Sequence, residues 1–407
     1  METKYGTARP EDFDDVMDFG NYVFSHAHRS IDFPSILPKL YKREFFNDAI
    51  HYIAREDGKI KAAVGAYPLE WEFPGPAGLV LPGRGIGMVS VHPYARSRGY
   101  MKELMKRALD DMRRDGMVFS CLSGQRQRYE YFGFTPAGSA YSFNCEEGNI
   151  RHTLGPDRSA KLASGRLSFK SVGPGDKDLL DSIQALHEAK PARLRRQRDR
   201  LYEILSSWRA RILAVMEGDF FAGYLIYKTN GTEHEITEIN LTDLSLLPEV
   251  LGLFLHNGKA AGMKDSVKVG AGPHETEKIA ALSRFAEDYT ENWAYHFQVF
   301  DYRRFVEPFM KLKARDRALA DGSVVLRIEG SPPLLLSVAQ GVPSAATQPS
   351  VVTQPLVATT ELSLSRLDAL HFLFSPLAVQ TFPAIKESVF LRSLLPLPLF
   401  FESADGI

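Results

Sequence analysis

Arg96, Ser97, Arg98 and Gly99 stand between a short apolar run, Val89 to Val91, and a stretch whose apolar residues fall at Met101, Leu104, Met105, Ala108, Leu109 and Met112. The second spacing is that of an amphipathic helix. The residues in between suit an anion. Backbone N–H groups at a helix start have no intrahelical partner, and the helix dipole adds positive potential there. A strand that turns tightly into such a helix is a phosphate cradle. Arg96 and Arg98 supply charge-assisted hydrogen bonds, and Gly99 removes a side chain where a ligand must approach the backbone. A solvated basic turn would account for the arginines, but not for the glycine or the strand before it.

Other chemistries lack their residues. His-Glu pairs begin at His187, His234 and His274, but none has a second histidine three residues after the glutamate, which excludes a zincin site. His26 and His28 are spaced to share a metal but have no further ligands at a recognisable distance, so no metal is expected. Neither a Walker A lysine motif nor a Gly-x-Ser-x-Gly elbow is present. "PGRGIGM", with Gly83, Gly85 and Gly87, precedes a strand instead of following one and reads as a turn. Cys121 and Cys145 are too few for a disulfide framework. A net charge of −1 argues against general affinity for nucleic acid. No apolar run is long enough to span a bilayer, and the start has no apolar signal core, so a cytoplasmic protein is expected.

The elements that must position the loop read as mixed α/β layers. "DFDDVMDFGNYVF" is a helix, "AIHYIARED-GKIKAAVGAYPLEWEF" a hairpin turning at Asp57 and Gly58, and "MVFSCLSG" a strand. A polar stretch with Gly155, Pro156, Asp157, Ser164 and Gly165 reads as a linker. The alternation then restarts. "RLSFKSV" is a strand, a charged helical region runs through Trp208, and "RILAVMEGDFFAGYLIYK" holds paired strands. "EHEITEINLTD" is a further strand and "LPEVLGLFLHNGKAAG" an apolar helix. The order of elements repeats without a clear residue-level repeat. From about Phe300 the texture changes again. "RRFVEPFMKLKARD" is a helix, and "GSVVLRIEG", "PPLLLSVAQG" and "VATTELSLSRLDAL" are strand-like. "PSAATQPSVVTQP" reads as edge strands and turns of a small α+β domain. The tail "LRSLLPLPLFFESADGI" is apolar enough that burial is expected.

The order strand, Pro93, Arg96, Gly99, helix resembles the coenzyme A motif of the GNAT N-acetyltransferases, with Met101 where that motif has a small residue. "RYEYFGFTPAG", Arg128 to Gly138, is similar to the Tyr-x-x-Phe-Gly-aromatic motif of the same family. The whole layout resembles the enhanced intracellular survival (Eis) acetyltransferases. The resemblance implies tandem GNAT folds with mixed sheets plus a sterol-carrier-like α+β domain. It implies a catalytic domain at 1–148, a second GNAT-like domain without a coenzyme A site at 160–298, and the last domain at 299–407, its tail inserted into the active site. Implied roles are acetyl-CoA as co-substrate, Val89, Ser90 and Val91 pairing with the pantetheine arm, and Arg96, Ser97, Arg98, Gly99, Tyr100, Met101 and Lys102 holding the pyrophosphate.

Acetyl transfer from a thioester needs a deprotonated amine and a proton donor for the thiolate. A tyrosine, with a pKa near ~10, suits the second task, and the resemblance gives it to Tyr129. Tyr131, two residues on, serves as the internal control and is expected to face away from Tyr129. The base implied by the family is the C-terminal carboxylate, here that of Ile407, where the family more often ends in an aromatic. Candidate acceptor-pocket residues are Phe24, His26, Phe33, Trp71 and Glu72, because an amine favours aromatic and acidic walls; core packing is the competing role for each. The expected acceptor is a small-molecule or peptide amine, with aminoglycosides and lysines as examples, and neither nucleic acid nor membrane is an expected partner. The resemblance also implies a homo-oligomer, trimeric or hexameric. The alternative is a non-catalytic protein binding a ligand or lipid on degenerate GNAT domains.

Overall fold

Asp57 and Gly58 both adopt left-handed backbone, φ 49° and 78°, the pairing that a two-residue hairpin turn requires. In the computed structural model they join the strands His51–Glu56 and Lys59–Phe73. The structure describes residues 3–27, 30–75, 78–160, 162, 165–259, 262, 264–347 and 360–407. His28, Ser164, residues 348–355 of the Pro/Ser/Thr/Gln-rich stretch and 357–359 at the start of "VATTELSLSRLDAL" lie outside the described residues. Two compact units form: Met1–Gly138 with Trp293–Leu399 and Ile407, and Ser139–Asn292 with Phe400–Gly406.

The first unit carries β1 (Thr3–Thr7), α1 (Phe13–Ala27), β2 (His51–Glu56), β3 (Lys59–Phe73), β4 (Leu79–Val91), α2 (Tyr100–Arg114) and β5 (Phe119–Leu122). The strands lie in sequence order, antiparallel except for the parallel pair β4 and β5. Both sheet faces are covered, so the hairpin reads as a nearly continuous apolar run. Tyr52, Ala54, Ala62, Val64 and Ala66 share a core with Leu104, Met105, Ala108, Leu109 and Met112 of α2. Ile53, Ala63 and Tyr67, on the other face, pack with Val16, Met17 and Val23 of α1. Burying each large side chain of α2 contributes ~1.5–3 kcal/mol relative to exposure.

Two expectations need correction here. "PGRGIGM" lies inside β4 and is not a turn. Its glycines make room on the sheet: a Cβ at Gly83 would stand 2.5 Å from the Phe119 ring. Arg126–Tyr129 is a helical turn continued by a 3-10 turn, Glu130–Phe132, where a strand was expected. Residues two apart would share a face on a strand but diverge by roughly 200° on a helix, and Tyr131 is accordingly 64 % exposed and Tyr129 only 7 %.

The chain enters the second unit along β6 (Thr135–Glu146) and continues through α3 (Glu147–Ala160), β7 (Leu167–Ser171), α4 (Lys177–Glu188), β8 (Arg211–Glu217), β9 (Phe220–Asn230), β10 (Glu233–Leu241), α5 (Leu247–Lys259) and β11 (Ser266–Ala271). The pairs β7–β8, β8–β9 and β9–β10 are antiparallel and β10–β11 parallel, the same ladder as β1 to β5. The repeat is one of topology. The expected linker is largely α3: Ile150 and Leu154 pack against the apolar face of α5, and the helix kinks at Gly155 (φ 75°). The expected charged helix through Trp208 is broken after α4, and Trp208 itself has φ 60°.

The chain returns along β12 (Asp288–Val299), whose His296–Val299 pairs antiparallel with β5. Next come α6 (Tyr302–Asp316), β13 (Gly322–Ile328), β14 (Leu334–Ala339), β15 (Val342–Thr347), β16 (Thr360–Leu364) and α7 (Arg366–Phe374). A four-stranded sheet is ordered β15, β14, β13, β16. "VATTELSLSRLDAL" is strand only to Leu364, because the Ser365 hydroxyl accepts the N–H of Asp368 and starts α7. The tail is buried as expected at Leu394, Leu395, Leu397, Leu399, Phe401, Ala404 and Ile407.

Candidate active site

Gly99 is the N-cap of α2 and is left-handed, φ 81°, as is Ser97 at 65°. Nothing lies within 4 Å of a Cβ built on Gly99. The glycine thus serves both a left-handed turn, which costs an L side chain roughly 1–2 kcal/mol, and open space before the first amides of the helix. Arg98 Nη1 lies 3.2 Å from Glu56 Oε2, and the Tyr100 hydroxyl also donates to Glu56. That hydroxyl bond, first, then the bond from Thr3 Oγ1 and the charge of Arg98 hold the Glu56 carboxyl below its ordinary range. Arg98 is therefore partly an anchor of the loop. Arg96 is exposed and makes no ion pair with a described residue, which leaves its guanidinium to the cleft.

Beside this loop β4 bulges. Ser90 pairs with Ala63 and Gly87 with Gly65, so Met88 and Val89 together oppose Val64, and Met88 takes φ 51°. The parallel pairing of β4 with β5 covers only Gly83–Gly85 against Phe119–Cys121. Past Gly85 the two strands are no longer in register, and the edge of Val89 to Val91 is left for another extended chain. A cleft of about 780 Å³ lies there, lined by Val89, Ser90, Val91, the whole run Arg96 to Lys102, and Phe24 of α1. Gln125, Arg128, Tyr131 and Phe132 close another side. All ten sequence-derived cofactor residues therefore line one cleft. Lys102 Nζ sits 5.0 Å above the Tyr131 ring.

Tyr129 is buried next to this lining, its ring so close to Gly124 that a Cβ there would lie 2.6 Å from Cε2. Burial raises its pKa, which keeps the hydroxyl protonated. That hydroxyl makes no hydrogen bond with a described residue and is not among the sealed polar atoms, so it is free to donate outward.

Ile407 lies at the divergence of β4 and β5. Its side chain occupies the space over Gly85 and Gly87 of β4, and its terminal oxygen accepts from Ser123 Oγ (3.3 Å), just past β5, and from Tyr295 Oη (3.1 Å). Tyr295 and Ser123 were missed in the sequence. Only the fold, by running β12 against β5, brings them to the terminus.

The proposed acceptor residues scatter. Phe24 lines the cleft and Phe33 packs behind it, ring centroids 5.0 Å apart. His26 is exposed and stacks on Tyr22 at 6.3 Å. Trp71 is core, enclosed by Phe73, Phe119, Phe297, Phe305 and Phe309. Glu72 follows it on β3, half-buried, outside the cleft lining.

Residues 4–137 match the acetyltransferase (GNAT) domain family. That stretch of the first unit is therefore a GNAT acetyltransferase domain, and the second unit repeats the order and direction of its strand ladder. Among solved structures, the chain is similar to a GCN5-related N-acetyltransferase from Anabaena variabilis, with TM-score 0.66 and 15 % identity over 100 % of both chains. A GCN5-related N-acetyltransferase from Kribbella flavida gives TM-score 0.63 at 16 % identity, over 100 % of this chain and 98 % of that one. Eis1 from Mycobacterium abscessus gives 0.62 at 15 %, over 100 % of both. These likenesses are of fold. No curated protein matches the chain. No helix among the described residues is long and apolar enough to cross a membrane.

Proposed function

We propose that the protein transfers an acetyl group from acetyl-CoA to a primary amine, with Tyr129 as acid and the α-carboxylate of Ile407 as base. The observation that supports this reading is the seating of Ile407 over Gly85 and Gly87 of β4, its oxygen accepting from Ser123 and Tyr295, on the strand whose residues Val89 to Val91 line the cleft with the Arg96–Gly99 cradle. The cradle suits a pyrophosphate: left-handed Ser97 and Gly99 present backbone amides, Arg96 adds charge, and the free edge of Val89 to Val91 suits the amides of a pantetheine arm.

In the reaction, the acceptor nitrogen gives a proton to the Ile407 carboxylate, directly or through water, and bonds to the thioester carbonyl carbon. The carbon–sulfur bond breaks, and the Tyr129 hydroxyl gives its proton to the departing thiolate. Candidate acceptors are small-molecule or peptide amines, polycations among them. We extend the proposal to the second unit, which would bind no coenzyme A. Its β10 bulges at Thr237 as β4 does, but the next residue, Glu238, is buried among Lys190, Arg196 and Tyr224, and no left-handed loop leads into α5. The same reading assigns the catalytic domain to 1–148, the second to 160–298, a sterol-carrier-like domain to 299–407, and a cytoplasmic homo-oligomer to the whole.

Calorimetric titration with acetyl-CoA, followed by thiol release across polyamines, lysine peptides and aminoglycosides, tests the reading. One site per chain and amine-dependent thiol are expected. Absence of binding refutes it.

A further inference from the structure

Successive residues of a strand face opposite ways, so Gly85 and Gly87 share one face of β4. Two glycines there leave a trough where side chains would stand. The Ile407 side chain fills it: a Cβ on Gly85 would overlap Ile407 Cδ1, and one on Gly87 would lie 2.6 Å from its Cγ2. Ile407 is only 7 % exposed and belongs to the core that includes Tyr41, Tyr67 and Met88. A β-branched residue has few rotamers, so seating the side chain also fixes the direction of the main chain it carries.

The main chain is held separately. The Ile407 N–H donates to Tyr295 Oη at 3.2 Å, and the Tyr295 hydroxyl donates back to the terminal oxygen at 3.1 Å. Ser123 Oγ donates to the same oxygen. Burial, first of its causes, pushes the Tyr295 hydroxyl up to about 12, so its proton stays available for donation.

We infer that Gly85, Gly87, Tyr295 and Ser123 form a socket for the chain's own C-terminal residue, with Tyr295 and Ser123 as positioning residues that aim its carboxylate at the acceptor; this rests on the carboxylate being the base. The "GRGIG" run is thereby explained as the receptor of the tail. A displacement of about 1 Å at a reacting group can cost on the order of 100-fold in rate, so a loosened terminus should slow chemistry without touching the cradle.

The test uses the full chain with two readouts. In the first, carboxypeptidase release of Ile407 should be at least ~10-fold faster from Tyr295→Phe and from Gly85→Val than from wild type. Rates within about twofold of wild type in a folded Tyr295→Phe overturn the socket, even if Gly85→Val does not fold. In the second, Tyr295→Phe and Ser123→Ala should lower kcat by ~10- to 100-fold with acetyl-CoA affinity within about twofold, and Ser123→Thr, which keeps the hydroxyl, should restore most of it. Unchanged kcat in the first two overturns the positioning role. Failure of the base reading shows up elsewhere: a chain extended beyond Ile407 would keep its kcat, while the release rates of the unextended variants still decide the socket.

Discussion

Tyr129 and Tyr131 are two residues apart and differ in almost everything that decides proton donation. Tyr129 is buried with a free hydroxyl; Tyr131 is exposed and lies beneath Lys102. Tyr129→Phe should lower kcat by ~10²–10³-fold, within the range for general acid catalysis, and Tyr131→Phe should change it less than about threefold by the same comparison. Steady-state thiol release measures both. In the cradle, Gly99→Asp brings a carboxylate to the amides before α2, and Arg96→Glu reverses an unpaired charge; each should weaken acetyl-CoA binding ~10-fold or more, by calorimetry. Arg98→Glu should do so partly through the loop, by placing like charges beside Glu56. The Arg-x-x-Gly residues were legible in the sequence because their chemistry is local. Tyr295 and Ser123 were not, since nothing near either residue along the chain marks it. Trp71, chosen as an aromatic pocket wall, is a core residue for the same reason: aromatic type does not say which face of β3 it occupies.

Among the elements, α2 was readable to within a residue or two, because its apolar period is unbroken and arginines close it. The hairpin of β2 and β3 announced itself through Asp57 and Gly58. β4 was misread in part, because glycines spaced two apart signal a turn unless a partner fills the space they leave. That partner is Ile407, more than 300 residues away in the chain. α3 hid behind Gly155 and Pro156: Gly155 leaves helical geometry at φ 75°, and a second helical run follows it to Ala160. Leu104, fully buried between α2 and the sheet, gives an element-scale test: Leu104→Ala should cost ~2–5 kcal/mol, the usual range for a buried leucine. Urea unfolding followed on the first unit would measure it, and a cost below about 1 kcal/mol would mean that α2 packs loosely against the sheet.

For the whole molecule, the mixed α/β fold class and the repeat in the order of elements were legible in the sequence, whereas the shared direction of the strands shows only in the ladders. The second unit holds a buried ion cluster that no periodicity announces. Arg196 pairs with Glu238, Glu402 and Asp405, and Lys190 with Glu238 and Glu402. Two cations face three carboxyls, so one proton balances the cluster. Burial, then the Glu238 charge, raises Glu402 from 4.5 to about 7, while Arg196 and Lys190 keep Glu238 ionised. The folded chain therefore holds a proton that the unfolded chain loses. This contribution is complete below about pH 4.5 and is lost as pH rises through about 7. Between pH 5 and 8 the wild type should lose stability that Glu402→Gln, permanently neutral, does not; equal slopes in thermal unfolding would contradict the assignment.

The central claim is that the chain's last carboxylate is the base. Appending a short Gly-Ser extension after Ile407 converts that carboxylate into an amide and moves the new terminus away from Tyr295 and Ser123, leaving the cradle untouched. Measured with the best amine acceptor at saturating acetyl-CoA, kcat should fall by ~10²–10⁴-fold, the usual contribution of general-base catalysis, while calorimetry shows acetyl-CoA affinity within about twofold of wild type. An extended enzyme with undiminished kcat would contradict the account.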